Sequence, residues 1–512
     1  MVLSIHLYCY IFSEFAVLAV QSGHKMFKTS AVGKDIMARG RTDTDMTKGN
    51  PMSIILKFTM MLLMGNVAQQ LYNIVDTIIV GRFVDPLALA AVGSTGNIMF
   101  LMFGISNGMV AGFTILTSQR YGASDSDGVK RSVTNGFFLC VLIAGIITVT
   151  GLIFMHPLLV LMNTSENFFD YAYTYISTIC AGIIFNIMYN YCASLMRSVG
   201  NSKMPLIVLL CSAATNVCLD LLFIIVFQMA TFGAALATVM AQALAVIPCV
   251  IYIYKKMPSL RPSKKDWKFD LPTVKEQLRL GIPMSVQYGI TASGTVIMQS
   301  AFNTFSDDAV VAITAANKFQ GIITQGMFSV GLTMAAFAGQ NFGARNMKRI
   351  REGIRAALKI YVVYSIVAAV FAVLAVPHVL WIFFDADVDV SLYIPWAMPY
   401  IIECAVCYFF LSMIFIYRHS VQAVGYASIA MILGVIELIA RMITSFYSIH
   451  VHNYYIAVAS DPFAWVMASL SAMVIAKVIF KRIERKWASD QPSSVVSSEI
   501  SPDVSSDAEA SD

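Results

Sequence analysis

Four polar residues inside apolar segments have the types and the spacing to bind a small cation. Asp76 lies in QQLYNIVDTIIVGR, and Asn216 and Asp220 lie four residues apart in TNVCLDLLF. On a helix this spacing places the amide and the carboxylate on one face, and Thr238 adds a hydroxyl in GAALAT. Hard cations prefer oxygen ligands, and a carboxylate also accepts a proton. The four residues predict a site for a hard monovalent cation or a shared proton.

The competing interpretation is that these side chains only join neighbouring helices, as Asn and Thr do in membrane bundles. It accounts well for Thr238 taken alone. It accounts poorly for Asp220, because a carboxylate at the bilayer centre costs about 2.5 to 3.5 kcal/mol and Asn would join helices at less cost. An ionisable residue in that setting is therefore a functional candidate.

Other charged residues occur in the apolar segments of the second half. Glu437 and Arg441 lie one helical turn apart with the acid first, which predicts a structural ion pair. Glu403 and Lys318 have no partner close in sequence, so they either line an aqueous cleft or pair across helices.

Signatures of catalysis are absent from the sequence. It contains no GxxxxGK[ST] loop for ATP, no HExxH pair for zinc and no GxSxG nucleophile elbow. An enzyme is not expected, and neither is a cofactor. Energy for any vectorial process would come from an ion gradient or from a partner.

The composition identifies the elements that must position these residues. Hydrophobic residues make up 58% of the 512 residues and charged residues 13%, against about 25% charged in soluble proteins. Apolar runs of twenty or more residues match the thickness of a bilayer. They predict an all-α integral membrane protein with twelve transmembrane helices.

The basic residues fall in alternate loops, which sets the orientation of the helices. Loops after the even-numbered helices carry Arg120, Arg197, the segment 255–279, Arg345 and Arg418. Because Lys and Arg resist translocation, these loops and both termini are expected in the cytoplasm, with the protein in the plasma membrane. The net charge of +5 is explained by this pattern and does not indicate a nucleic-acid partner.

The sequence contains an internal repeat. The segment SQRYGASDSDGVKRSV (118–133) reappears as GQNFGARNMKRIREGI (339–354), an offset of 221 residues. Other landmarks keep this register: Arg197 with Arg418, Asn216 with Glu437, Asp220 with Arg441 and, at 222, Asp85 with Asp307 and Gly104 with Gly326. At an offset of 222 Asp76 corresponds to Met298. An even number of helices per repeat predicts two parallel-related six-helix lobes. The acidic pair belongs to the first lobe only.

Domain boundaries follow from the repeat and from composition. We expect a poorly ordered N-terminal extension (1–50), an N-lobe (51–256), a cytoplasmic linker (257–280), a C-lobe (281–488) and a disordered acidic tail (489–512). Gly104, Gly108 and Gly112 form a GxxxGxxxG face in the second helix, which predicts close approach of another helix backbone.

Several of these segments together resemble one transporter family. QQLYNIVDTIIVGR followed by DPLALAAVG, the pair TSQRYGA and AGQNFGA, and NVCLD with GAALAT are similar to the multidrug and toxic compound extrusion (MATE) family, bacterial type. The resemblance covers residues 51–486 and implies two lobes around a V-shaped cavity. It also implies antiport of small organic compounds, often cationic, against H⁺ or Na⁺, by a monomer.

The resemblance assigns roles to individual residues. Asp76 matches the family's first-helix aspartate, and Asn216, Asp220 and Thr238 match its N-lobe cation cluster. Residues similar to those lining its substrate cavity are Gln69, Tyr72, Tyr175 and Asn190. Met61 stands where family members often carry a proline, so a proline-centred bend of the first helix is not expected.

Two other functions are compatible with a lobed membrane protein. A lipid or lipid-linked oligosaccharide flippase of the same superfamily would need a cationic cavity, for which Lys318 and Arg441 are the available residues. An intramembrane transferase would need clustered aspartates to hold Mg²⁺ and a diphosphate, and Asp76 and Asp220 are single and distant in sequence.

Overall fold

The computed structural model describes residues 44–162, 164–383 and 389–490, and its regular structure there is helical. The predicted tail (489–512), apart from its first two residues, lies outside the described residues. So do residues 1–43 of the predicted N-terminal extension. The first half contains α1 (Pro51–Phe83), α2 (Pro86–Ser94), α3 (Gly96–Gly122), α4 (Ser126–Leu161), α5 (Phe169–Ala181), α6 (Ile183–Ser198), α7 (Lys203–Asp220) and α8 (Ala230–Lys256). The second half contains α9 (Leu271–Phe302), α10 (Asp307–Gly343), α11 (Met347–Val379), α12 (Ile394–Ala423), α13 (Ser428–Val451), α14 (Tyr454–Val458) and α15 (Ser460–Ser489).

Counted with α9, the described residues contain twelve helical segments long enough to cross a bilayer, which agrees with the prediction. Ten segments of the described chain are long and apolar enough to cross a bilayer, with α2 and α3 together forming one of them. The pair α5 and α6, bent by 48°, forms an eleventh. The twelfth is α9, whose 32 residues span about 48 Å at 1.5 Å per residue. Its most apolar stretch has a lower mean hydropathy than those of the other spans, and its first turns contain Lys275, Glu276 and Arg279. It packs between α3 and α13.

Local sequence explains where the helices begin. Asn50 caps α1 by accepting from the Met52 N–H, and Pro51 follows at the first helical position, where no N–H is required. Asp125 caps α4 and Ser306 caps α10 in the same way. The start of α9 at Leu271 lies ten residues before the predicted start of the C-lobe, and Pro272 occupies its first turn.

The glycine face of α3 lies against α9, in the other half of the molecule. A Cβ at Gly112 would lie 2.4 Å from the Gly281 Cα, and a Cβ at Gly108 would lie 2.8 Å from the Met284 carbonyl oxygen. The two backbones are therefore in direct contact, and any larger side chain would push the helices apart.

The end of the bundle that carries the Arg120, Arg345 and Arg418 loops, called the basic end below, holds the two halves together. Gln119 Nε2 donates to the Ala423 carbonyl at 2.6 Å, and Gln340 Nε2 donates to the Ser198 carbonyl at 2.8 Å. These reciprocal bonds come from the two copies of the repeated segment. The described arrangement is closed at the basic end.

A short strap, residues 44–50, also lies at the basic end, although it belongs to the predicted poorly ordered extension. Met46 is fully buried, and its N–H donates to Gln340 Oε1 at 3.0 Å. Its carbonyl accepts from Asn341 Nδ2 at 3.2 Å and from Arg349 Nε at 3.1 Å. The strap is ordered by these bonds to the second half.

The linker between the halves is fastened to α4 by Asn135, which is fully buried. Asn135 Oδ1 accepts from the Asp270 N–H at 2.8 Å, and its Nδ2 donates to the Lys268 carbonyl at 3.3 Å. Hydrogen bonds from the Ser263 side chain and backbone hold the pKa of Asp266, in the same linker, below its usual value.

Replacing Asn135 by Ala is expected to lower the free energy of unfolding by about 1 to 3 kcal/mol, because buried linker groups lose their partners. Thermal unfolding of the purified protein measures this. The control is Asn97→Ala at an exposed position of α3. Equal unfolding temperatures for the two variants would show that the linker bonds do not stabilise the fold.

Candidate cation site

Two carboxyl groups from different helices meet inside the first half. Asp76 lies on α1 with 8% of its surface exposed, and Asp220 is the last residue of α7 with none exposed. The two carboxyl groups lie close enough to interact directly. One oxygen of each, Oδ1, has no hydrogen-bond partner among the described residues. The pair therefore has two oxygen atoms free to bind a ligand.

Asn216 connects this pair to α8. In the amide orientation that satisfies its neighbours, Nδ2 donates to Asp220 Oδ2 at 2.7 Å and Oδ1 accepts from the Thr238 N–H at 3.2 Å. The four-residue spacing on α7 thus brings the amide onto the carboxylate. After Asp220 the helix widens into a π-helical segment, Leu221–Val226, a departure from α-helix that often occurs at functional sites.

Two tyrosines enclose the carboxyl pair. Tyr72 lies one turn before Asp76 on α1, and its hydroxyl lies close enough to the Thr238 side chain to interact with it. Tyr175 on α5 is buried, with both carboxyl groups within electrostatic range. These phenols exclude bulk water and add hydroxyl groups to the oxygen donors of the site.

Two of the eight predicted residues lie outside this cluster. Gln69 is exposed on the face of α1 that carries Tyr72 and Asp76. Asn190 lies on α6, where its Nδ2 donates to the Asn186 carbonyl at 3.0 Å and to Asn186 Oδ1 at 3.2 Å. Asn186 was not among the predicted residues, although its i,i+4 spacing to Asn190 is the same signal that identified Asn216 and Asp220.

The chemistry of the donors restricts what the site can hold. Within the described part of the chain no group of three or more His, Cys, Asp or Glu side chains could hold a metal ion. Two carboxylates in contact in a low-dielectric setting repel each other unless a proton or a cation neutralises one charge. Carboxylate, hydroxyl and amide oxygens suit one proton or one hard monovalent cation.

The second half has a different buried polar group. Arg441 Nη1 lies 3.8 Å from Glu437 Oε2, and Arg441 Nε donates to Asp461 Oδ1 at 2.8 Å. Arg418 Nη1 donates to Glu437 Oε1 at 3.4 Å. The predicted pair is thus part of a four-residue network with two charges of each sign.

Asp461 was not predicted to belong to this network. The residue lies buried in the first turn of α15, because α14 turns the chain back into the bundle before α15 begins. Glu403 on α12 is half-buried, and Lys318 on α10 is exposed.

Comparisons with known proteins agree with this architecture. The MatE family model matches residues 62–222 and 283–447, one segment in each half. The probable multidrug resistance protein YpnP of Bacillus subtilis is 29% identical over 311 residues, which is 60% of this chain and 68% of that protein. YoeA of the same organism, also a probable multidrug resistance protein, is 27% identical over 308 residues, 59% of this chain and 66% of that protein.

Solved structures share the fold. A MOP superfamily transporter from Pyrococcus furiosus superposes with a TM-score of 0.81 at 18% identity, covering 86% of this chain and 98% of that one. The outward-facing conformation of a multidrug resistance MATE family transporter gives the same TM-score, identity and coverage.

Proposed function

The chain belongs to the MatE family of membrane transporters, and from this we propose that it is a secondary active efflux transporter. It exchanges small organic compounds, often cationic, for H⁺ or Na⁺. Its site for the coupling cation consists of Asp76, Asn216, Asp220 and Thr238. The names of the curated relatives, probable multidrug resistance proteins, support this substrate class.

The buried pair of Asp76 and Asp220 carries the proposal. A cation that neutralises the pair and a substrate that prefers the other charge state act on one conformational equilibrium, so each weakens the binding of the other. Gln69, Tyr72, Tyr175 and Asn190 supply polar and aromatic surface for the substrate. Tyr72 and Tyr175 border the carboxyl pair and would link the two ligands physically.

The orientation follows from the loops. With the basic end in the cytoplasm, the described state is closed on the inner side by Gln119, Gln340 and the strap. The carboxyl pair then lies in the outer half of the N-lobe, where cations enter from outside. We place the transporter in the plasma membrane as a monomer with both termini in the cytoplasm.

The experiment that tests the proposal is ethidium efflux from proteoliposomes with a pH gradient or a Na⁺ gradient imposed separately. Efflux driven by one gradient and abolished by its collapse is expected. Transport that is indifferent to both gradients, or transport of lipid in their absence, would contradict the proposal.

Replacing Thr238 by Val is expected to weaken binding of the coupling cation about five- to tenfold, because Tyr72 loses a hydroxyl partner and one donor disappears. The dependence of efflux rate on cation concentration measures this. Thr150→Val is the matched control, since Thr150 is exposed and donates only to the Ile146 and Ile147 carbonyls of its own helix. A Thr238 variant with unchanged cation dependence would exclude this hydroxyl from the site.

A further inference from the structure

The positions that repeat the cation site are occupied in the second half by charged residues. Glu437 and Arg441 repeat Asn216 and Asp220 at an offset of 221 residues. Asp461 lies 223 residues after Thr238, within two residues of the same offset. These residues are in contact in the second half, as their counterparts are in the first. Both halves therefore have a polar centre at the repeat-related position, but the second centre contains an arginine where the first contains an aspartate.

The helix that faces these residues in the second half, α9, also differs from its counterpart α1. Met298 on α9 repeats Asp76, so the second carboxyl group of the pair is replaced by a buried apolar side chain. Gly294 repeats Tyr72, and a Cβ placed at Gly294 would lie 3.1 Å from Arg441 Nη1. The room that the phenol fills in the first half is therefore filled by a guanidinium in the second.

This guanidinium is held as a bound cation would be held. Arg441 is 5% exposed, with Nε 2.8 Å from Asp461 Oδ1 and Nη1 3.8 Å from Glu437 Oε2. Glu437 is also bound by Arg418 at 3.4 Å, which leaves the network of four residues electrically neutral. Neutrality at this centre does not depend on an ion from solution.

We propose that Arg441 is a tethered cation that permanently occupies a second, latent cation site formed by Asp461 and Glu437. The first half then exchanges its cation while the second half keeps a constant charge, which limits coupling to one site. The assignment of the first-half site rests on the proposed function. The occupancy of the second site is tested without transport, so the two can fail separately.

The test is chemical rescue of Arg441→Ala, followed by thermal unfolding of the purified protein. Removing the guanidinium leaves buried acids uncompensated, and we expect unfolding at a temperature lower by about 5 °C or more. Guanidinium at about 20 mM should recover at least half of this loss by binding in the vacated site. Urea, which has the same shape without the charge, should not.

Three further variants complete the design. In Arg441→Ala/Asp461→Asn the guanidinium effect should disappear, because the anion that binds it is gone. If Arg441→Ala does not fold, Arg441→Lys and Arg441→Met replace it, and the Lys variant should unfold at a clearly higher temperature than the Met variant.

The proposal is overturned if guanidinium fails to stabilise Arg441→Ala, if it stabilises the wild type equally, or if the Lys and Met variants unfold together. In each case Arg441 would be a packing residue and not the occupant of a cation site. None of these outcomes bears on transport by Asp76 and Asp220, and loss of transport in Asp220→Asn does not bear on Arg441.

Discussion

Asp220→Asn is expected to abolish gradient-driven efflux, with an initial rate about 100-fold or more below wild type. The substitution keeps the shape of the side chain and its contact with Asn216 but removes one of two buried charges. A buried charge contact of about 3 kcal/mol corresponds to a factor of more than 100 in binding. The asparagine variant should mimic the neutralised state and bind no coupling cation. The gradient then cannot shift its conformational equilibrium.

Asp76→Asn is expected to have the same effect, because the two carboxyl groups are in contact and act as one unit. The matched control is Asp170→Asn, which changes an exposed aspartate of the same half near the same end of the bundle. Efflux is measured in proteoliposomes with equal protein content. An Asp220→Asn protein that transports at the wild-type rate would remove this residue from the mechanism.

Gly122→Ala and Gly343→Ala are expected to prevent closure of the basic end. A Cβ at Gly122 would lie 1.9 Å from the Gln340 carbonyl oxygen, and one at Gly343 would lie 1.8 Å from the Gln119 carbonyl oxygen. Both obstacles are backbone atoms, which cannot move aside by changing rotamer. The closed state therefore loses population, by about tenfold or more for a cost above 1.4 kcal/mol, and transport falls because one of its two states is no longer reached.

Spin labels at Asp127 and Lys348, both exposed at the basic end on opposite halves, report the separation of the halves directly. Longer distances are expected in each glycine variant than in the parent. The controls are Gly145→Ala and Gly321→Ala, where a Cβ meets no atom within 4 Å. Distances in Gly122→Ala that match those of the controls would mean that this contact does not govern closure.

Much of the fold is predictable because it follows from periodic and local signals. The apolar runs and the alternation of basic loops predict twelve helices, and the repeat predicts two halves, since both depend on composition along the chain. The i,i+4 spacing of Asn216 and Asp220 predicts their contact, because it is a property of one helix. The contact of Tyr72 with Thr238 depends on how α1 packs on α8 and has no local signal.

The same distinction explains what the sequence did not reveal. Asp461 follows residues with loop character, including His452 in a left-handed conformation, and only the path of α14 shows that the chain re-enters the bundle. Residues 44–50 have no apolar periodicity, and their order comes from bonds that Gln340, Asn341 and Arg349 make to Met46. Contacts between distant segments decide both cases.

If the buried carboxyl pair of the first half exchanges a cation when substrate binds, adding ethidium to the purified protein in detergent should release H⁺ or Na⁺ into solution. We expect release of about one cation per protein by wild type and none by an Asp76→Asn/Asp220→Asn double variant. Ethidium binding without release by wild type, or equal release by the double variant, would contradict this exchange.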